Sequence, residues 1–332
     1  MLPVSFFIHE FEVSMVVFGP VPSRRLGNSL GVNNIPIKVC SYNCVYCQVG
    51  RTVDLTTKRQ PFFSTAEVMS LVADRVEKSH RNEVPIDYIS IVPDGEPTLD
   101  IHLGETIQAL KTLGFPVAVF TNGSQLPDTQ VRRELCEADL ISVKIDAVDE
   151  LAWRKVNRPD KDLRLAEILE GIRSLRQEYS TGKLITETML ISGLNDDTQT
   201  VEETARFIAT VQPERAYLGI PTRPTAVEKA TVPDEETLNR AYQTFSAHLP
   251  NVECLFGFSP DDFPALGSDA LQQVLEILTV HPMRESEVSA FLKKSGEDPL
   301  IIQKLEDEGL VVKVRHGEHS FFTLKIPTRP LG

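Results

Sequence analysis

Three of the five cysteines in the chain lie within eight residues of one another, at Cys40, Cys44 and Cys47. Thiolates are soft ligands that suit an iron–sulfur cluster or zinc. Three thiolates in one short loop can hold three corners of a cubane cluster, which leaves its fourth iron with an open coordination position. Two other interpretations stay open here: a structural zinc site completed by a distant His or Cys, and three buried thiols without a metal.

The other two cysteines, Cys136 and Cys254, are predicted to be small buried residues rather than metal ligands. Cys254 belongs to an apolar run that is typical of a strand. Two thiols are too few for an additional iron–sulfur cluster, which usually needs three or four cysteine ligands. The sequence therefore provides for one cluster at most.

The composition of the chain indicates a globular protein. It has 332 residues, of which 41% are hydrophobic, enough for one large catalytic domain and a small appendage. The formal net charge of −13 opposes undirected binding to nucleic acid or anionic membranes, although a local basic patch is still compatible with it. No apolar run approaches the roughly 18 residues of a membrane span. The first residues lack a signal-peptide pattern, so the crowded thiols favour a reducing cytoplasm.

Short apolar runs alternate with stretches of helical periodicity from about residue 30 to residue 260. Repeated strand–helix units predict an α/β fold with a parallel sheet, whose functional loops leave the C-terminal ends of the strands. The predicted strands are 89–92, 117–120, 140–145, 184–191, 216–220 and 252–256. The predicted helices are about 64–78, 102–113, 162–178, 198–210 and 234–248. The first of these helices opens with a capping-box pattern at Ser64 and Glu67.

The ends of the chain differ in character from its middle. We expect residues 1–17 to be an N-terminal extension, with Met15 as an alternative start because the organised pattern begins at Phe18. At the other end, a linker at 258–267 precedes a small domain at 268–332. The predicted elements of that domain are helices at 269–279, 285–294 and 299–308, followed by strands at 310–314 and 321–324.

Three helices followed by a hairpin is the element order of a winged helix, a fold that often places one helix in the major groove of DNA. The helix at 299–308 contains Lys304 as its only basic residue. Residues 267–332 carry eight Lys and Arg against ten Asp and Glu, a net charge of 8 − 10 = −2. This balance argues against DNA binding and favours a protein-contact or structural role.

The cysteine spacing C-x3-C-x2-C, with the aromatic Tyr46 just before the last cysteine, resembles the signature of the radical SAM superfamily. The segments at 18–27 (FGPVPSRRLG) and 29–33 (SLGVN) resemble the start of a group of bacterial and archaeal members related to the wyosine tRNA-base synthases. The resemblance implies a partial (β/α)6 barrel over residues 18–257. Its first strand would be 30–32, and the run at 252–256 would be an extra strand.

The resemblance also implies the cofactors. Cys40, Cys44 and Cys47 would ligate three irons of one 4Fe–4S cluster, and the open iron would bind S-adenosyl-L-methionine, with Tyr46 near the adenine. Reductive cleavage of this cofactor would yield a 5′-deoxyadenosyl radical that abstracts hydrogen from a substrate. A flavodoxin- or ferredoxin-type protein would supply the electron. The wyosine synthases carry a second cluster, and this chain departs from them because it lacks the cysteines.

Further cofactor contacts are expected at successive strand ends. Asp94-Gly95-Glu96-Pro97 resembles the superfamily's G-G-E-P motif with Asp94 in place of the first glycine, which implies a contact between Glu96 and the cofactor's ammonium group. Lys144 is expected to pair with the cofactor carboxylate and Asp146 with a ribose hydroxyl, since alternate residues share a strand face. The remaining candidates are Asn122 and Ser192. Plainer alternatives are ordinary turns and a Lys–Asp pair at a strand end.

Two arginines in proline-stiffened loops, Arg158 and Arg223, are the candidates for substrate binding, because arginine grips carboxylate or phosphate in a fixed fork. Arg24 and Arg25 are expected to be capable of the same contact. Solvated surface arginines are the alternative. The substrate stays unidentified, with tRNA and a small metabolite both open. The rival function is a redox-sensing regulator that holds a cluster and acts through the winged-helix domain.

Overall fold

The computed structural model describes residues 16–92, 94–255, 274–275, 277–278, 282–316 and 319–324. The strands are β1 (Val17–Ser23), β2 (Gly27–Val32), β3 (Val39–Cys40), β4 (Asp54–Leu55), β5 (Tyr88–Ile91), β6 (Val117–Thr121), β7 (Leu140–Lys144), β8 (Lys183–Met189), β9 (Arg215–Gly219), β10 (Val252–Cys254), β11 (Met283–Arg284), β12 (Val311–His316) and β13 (His319–Leu324). The helices are α1 (Thr65–Arg81), α2 (Leu103–Lys111), α3 (Thr129–Leu135), α4 (Glu150–Asn157), α5 (Leu165–Glu178), α6 (Thr198–Val211), α7 (Glu235–His248), α8 (Glu285–Lys294) and α9 (Ile301–Asp307).

The main sheet has eight strands in the order β1-β2-β5-β6-β7-β8-β9-β10. The strands β1 and β2 form an antiparallel hairpin, and every later neighbour in the sheet is parallel. Six parallel strands from β2 to β9, each followed by helix or loop, form the partial barrel, and β10 is an additional strand. The α/β fold expected from the alternating pattern is therefore confirmed.

Five of the nine described helices begin at a Ser or Asp that caps them through its side chain. The predicted capping box at α1 is present, because the Ser64 hydroxyl accepts from the backbone N–H of Glu67 and the Glu67 carboxylate accepts from that of Ser64. Two short helices, α3 and α4, were not predicted. They begin at Asp128 and Asp149, whose carboxylates accept backbone N–H groups of the first turn. Both helices have at most eight residues, too few to develop a clear period.

The hairpin of β1 and β2 closes the N-terminal end of the barrel. Leu26 lies in the turn of this hairpin. It is buried together with four residues of the parallel strands, Ala118, Leu140, Ile185 and Tyr217. These residues fill the barrel with side chains at that end. The functional loops consequently open at the opposite end, where the parallel strands terminate.

The described C-terminal residues form a three-stranded sheet in the order β11-β13-β12, with α8 and α9 beside it. The positions of α8, α9 and both hairpin strands agree with the expected elements, and β11 is an added strand. Phe18 and Val21 of β1 pack in the same apolar cluster as Val288 and Leu292 of α8. The linker at 258–267 and most of the helix expected at 269–279 lie outside the described residues, so the winged helix and the domain boundaries stay predictions.

No helix in the described ranges is long and apolar enough to cross a membrane.

Candidate functional site

The loop that carries the three cysteines starts at β3 and is fastened to the C-terminal end of α4. The backbone N–H groups of Asn43 and Val45 donate to the carbonyls of Asn157 and Val156, at 3.0 and 2.9 Å. Tyr42 in this loop is buried, and its hydroxyl accepts from the indole N–H of Trp153 at 3.2 Å. These contacts position the cysteines at the open end of the barrel.

The three thiols lie together, half-buried and without disulfides. The Asn122 amide donates to the Cys40 sulfur at 3.7 Å, and the Asn157 amide donates to the Cys44 sulfur at 3.5 Å. Burial raises the pKa of the Cys44 thiol to about 12, and the nearby Asp146 carboxylate adds to the increase. Burial likewise raises the pKa values of Cys40 and Cys47. Without a metal the thiols therefore stay protonated, and binding a metal must release these protons.

The arrangement of ligand types bears on the choice between zinc and a cluster. Within the described ranges, no three His, Cys, Asp or Glu side chains are grouped so that they could hold one metal ion. A structural zinc site needs four ligands that converge on a single ion. Each thiolate of a cubane cluster binds a different iron, so the three sulfurs need not converge on one point.

The buried amine of Lys38 indicates whether the cysteine loop is suited to an anionic group. Its side chain is only 5% exposed, and its Nζ has no hydrogen-bond partner in the part of the chain that the structure describes. Burial lowers the pKa of Lys38, while the nearby Cys47, Asp94 and Cys40 oppose that shift. A buried amine without a partner is costly unless a group at the site accepts a hydrogen bond from its N–H. A cluster held by three thiolates is such a group, so the residues present fit it.

Glu96 joins the ends of two strands beside the cysteine loop. It is buried, and its carboxylate accepts from the hydroxyls of Thr98 and Thr121 at 2.5 and 2.6 Å and from the backbone N–H of Asn122 at 2.7 Å. Burial raises the pKa of Glu96, although these hydrogen bonds lower it. The Asp94 carbonyl accepts from the backbone N–H of Lys38, and the Asp94 backbone N–H donates to the Asn33 side chain, both at 3.0 Å.

Asp146 lies at the centre of a second network. Its carboxylate accepts from the Tyr46 hydroxyl, from the Asn157 amide at 2.6 Å and from the backbone N–H of Met189 at 2.8 Å. The Asn195 amide donates to the backbone carbonyl of Asp146 at 2.7 Å. The next helix is capped by Asp197. Asp146 thus joins the cysteine loop to the end of β8, whereas its contact with a ribose stays a prediction.

Glu187, a buried carboxylate on β8, was not predicted from the sequence. It pairs with Arg25 at 2.5 Å and with Lys144 at 3.6 Å, and it accepts from the Ser142 hydroxyl at 2.7 Å. Burial alone would raise its pKa, but the charges of Arg25 and Lys144 lower the pKa of Glu187 to about 2. The partner of Lys144 is therefore Glu187, not Asp146. Arg25, which we expected to be available for substrate binding, forms an ion pair with Glu187 inside the barrel instead. An acidic residue within an apolar predicted strand was the available signal.

Replacing Glu187 with glutamine is expected to destabilise the fold by about 3–5 kcal/mol at neutral pH, because Arg25 and Lys144 lose their buried counter-charge. The folded pKa of about 2 lies below the unfolded value of about 4.3, so this stabilisation is complete above the unfolded pKa. It is lost as the pH falls from about 4 to about 2. Denaturant unfolding at successive pH values measures the difference between the two proteins.

The control for Glu187 is Glu150→Gln, which removes an exposed ion pair with Arg154 on α4. Its effect should stay within about 0.5 kcal/mol. A difference between wild type and Glu187→Gln that stays constant from pH 7 to pH 2 would contradict the assignment.

The remaining candidates lie in different surroundings. Ser192 is half-buried at the end of β8, and its backbone N–H donates to the carbonyl of Thr231. Arg158 is exposed beside the cysteine loop, with φ at 45°. Arg223 is buried and donates to the backbone carbonyl of Pro282, next to β11. Arg223 is thus hydrogen-bonded to the C-terminal residues, whereas Arg158 is exposed at the barrel mouth.

Residues 34–208 match the family described as the Radical SAM superfamily. A UPF0026 protein of Methanocaldococcus jannaschii is 39% identical over 316 residues, which cover 95% of this chain and 97% of that protein. The matched residues include the three cysteines and the networks of Glu96 and Asp146; of the Glu187 group, Arg25 lies before them.

Two solved structures are similar in fold. The structure of TYW1 with a lysine-pyruvate adduct bound has a TM-score of 0.52 at 19% identity, over 68% of this chain and 76% of that chain. A radical SAM methyltransferase from Sphaerobacter thermophilus has a TM-score of 0.55 at 19% identity, over 70% of this chain and 68% of that chain.

Proposed function

The chain belongs to the radical SAM superfamily, and we propose that Cys40, Cys44 and Cys47 ligate its cluster. The protein is an enzyme whose cofactors are a 4Fe–4S cluster and S-adenosyl-L-methionine. A bound, reduced cluster supplies the electron that cleaves this cofactor and starts hydrogen abstraction from a substrate. The observation that carries the proposal is the half-buried group of three thiols, beside an unpaired buried amine, at the open end of the barrel. The comparisons give no support to the regulator alternative.

Lys144 is the residue that we propose for the cofactor carboxylate. Its ammonium lies 5.3 Å from the centre of the Tyr46 ring and 3.6 Å from the Glu187 carboxylate. Because Arg25 also pairs with Glu187, the group keeps one positive charge in excess. That excess favours an anionic group at the mouth. Tyr46 supplies a flat apolar surface for the adenine.

The other candidates act at the same end of the barrel. We propose that Glu96 and Asp146 accept hydrogen bonds from the ammonium and ribose of the cofactor. Both also fix the strand ends through the networks described above. The Asn122 amide donates to the Cys40 sulfur. Ser192 lies at the end of β8, and we propose that it makes a further polar contact with the cofactor.

For the substrate we propose an anionic molecule held at the mouth by Arg158. This side chain is exposed, and its own backbone carbonyl accepts from Asn43 in the cysteine loop at 3.1 Å. A guanidinium at this place suits phosphate or carboxylate. A tRNA and a small phosphorylated or carboxylated metabolite both meet that requirement. Comparing modified tRNA nucleosides by mass spectrometry in wild-type and deletion strains separates the two.

The enzyme needs a reductant, and we propose a flavodoxin- or ferredoxin-type protein. Leu55 lies opposite Cys40 in the pairing of β3 with β4, and both Leu55 and the neighbouring Val53 are exposed. This apolar strip offers a contact surface next to a cluster ligand. A reducing compartment such as the cytoplasm suits both the cluster and such a donor. For the C-terminal residues we propose a winged helix with a protein-contact or structural role.

The test is anaerobic reconstitution of the full-length protein with iron and sulfide, followed by dithionite and S-adenosyl-L-methionine. We expect the spectrum of a 4Fe–4S cluster and equal amounts of methionine and 5′-deoxyadenosine. A protein without iron in the same mixture is the control for spontaneous cleavage. A correctly formed cluster that yields neither product would rule out the proposed reaction.

A further inference from the structure

Lys38 lies two residues before the first cysteine. Both its backbone conformation and the burial of its side-chain amine cost free energy. Its φ is 69°, in the left-handed region that L-residues other than glycine seldom adopt. Its amine is buried, with no hydrogen-bond partner in the described ranges. Strain of this kind persists at functional sites where the surroundings over-determine it.

The surroundings of Lys38 do fix it firmly. Its backbone N–H donates to the carbonyl of Asp94 at 3.0 Å, and its carbonyl accepts from the N–H groups of Val53 and Asp54 at 3.1 and 3.2 Å. These bonds tie the Gly-Glu-Pro loop and β4 to the start of the cysteine loop. The side chain is therefore directed inward by the backbone and not by a contact of its own.

The glycine at position 50 leaves room for the Lys38 amine. A Cβ on Gly50 would lie 3.1 Å from Nζ, so a side chain at that position would crowd the amine. The ionisable groups that act on Lys38 are the thiols of Cys47 and Cys40 and the carboxyl group of Asp94. Two of these three are proposed cluster ligands, and the Gly50 backbone N–H donates to the carbonyl of Cys47 at 3.2 Å, so the amine lies beside the cysteine loop.

Resting on the proposed function, we propose that Lys38 donates a hydrogen bond to a sulfur of the 4Fe–4S cluster and thereby raises its reduction potential. Hydrogen bonds to the sulfurs and the local charge are among the factors that set the potential of such clusters. Reduction adds a negative charge to the cluster. A buried N–H donor stabilises this more negative state more than the oxidised one. Lys38 thus contacts the cluster directly and favours the entry of an electron into it.

The experiment compares the reconstituted full-length wild type with Lys38→Met in the absence of S-adenosyl-L-methionine. Iron and sulfide are quantified, and the midpoint potential is followed by electron paramagnetic resonance during redox titration. We expect the variant to lose at least tenfold in the equilibrium constant for one-electron reduction, which equals about 59 mV toward more negative potential. Lys58→Met removes an exposed lysine near β4 and should leave the potential unchanged.

Several outcomes would overturn the proposal. The first is a wild-type potential in Lys38→Met, even if its affinity for S-adenosyl-L-methionine falls, because Lys38 would then serve that cofactor instead. If Lys38→Met folds but takes up no iron, Lys38→Gln must restore iron uptake, because glutamine keeps an N–H donor. If Lys38→Gln does not restore uptake, the proposed hydrogen bond is also contradicted. Failure of wild type to form a 4Fe–4S cluster refutes the proposed function itself, and the two failures are therefore distinguishable.

Discussion

Replacement of Cys44 with alanine is expected to abolish cluster binding and cofactor cleavage together. Two thiolates cannot hold the cubane that three hold, and the Asn157 amide and the Asp146 carboxylate around Cys44 cannot replace a soft ligand. Loss of a residue that merely orients a metal ligand costs about 10–100-fold, so cleavage should fall by more than about 100-fold. Iron content and 5′-deoxyadenosine formation measure the two effects.

Cys136→Ala is the matched control. Cys136 is also half-buried, but it caps α3 on the outside of the sheet, away from the cysteine loop. The control should keep the wild-type iron content and cleavage rate. Retention of the cluster by Cys44→Ala, or equal losses in both variants, would remove Cys44 from the ligand set.

The parallel sheet could be predicted from the sequence because both faces of its strands are covered. The run 117–120 is continuously apolar, the run 140–145 is apolar except for Ser142 and Lys144, and the polar turns between them fall where strands and helices end. The cysteine loop was equally accessible, since all three thiols lie within one short segment. Local patterns of this kind do not depend on how distant segments come together.

The contacts that complete the site could not be predicted in the same way. Glu187 meets Arg25 only because the hairpin turn enters the barrel, and it meets Lys144 only because those two residues are register partners on β7 and β8. Arg223 looked like its counterpart Arg158 in sequence, with proline following each. Whether an arginine faces the mouth or the C-terminal residues depends on packing between segments that are far apart in the chain.

Replacement of Gly95 with alanine is expected to displace the cysteine loop and lower the iron content of the reconstituted protein. A Cβ at this position would lie 1.9 Å from the carbonyl oxygen of Val39 and 2.8 Å from the Ile35 side chain. The Val39 carbonyl cannot yield on its own, because it accepts from the N–H of Glu96 and its residue is bonded directly to Cys40. Overpacking of this kind costs about 1–3 kcal/mol. Thermal unfolding of the metal-free protein and iron content after reconstitution measure the two consequences.

Gly219→Ala separates overpacking at the loop from a general intolerance of alanine in the barrel. A Cβ on Gly219, at the end of β9, would meet the Met189 methyl at 3.5 Å, an ordinary van der Waals contact. We expect this variant to keep its iron. If Gly95→Ala binds iron as wild type does, the Gly-Glu-Pro loop does not set the position of Cys40. The role of the loop would then be confined to Glu96 and its hydrogen bonds to Thr98, Thr121 and Asn122.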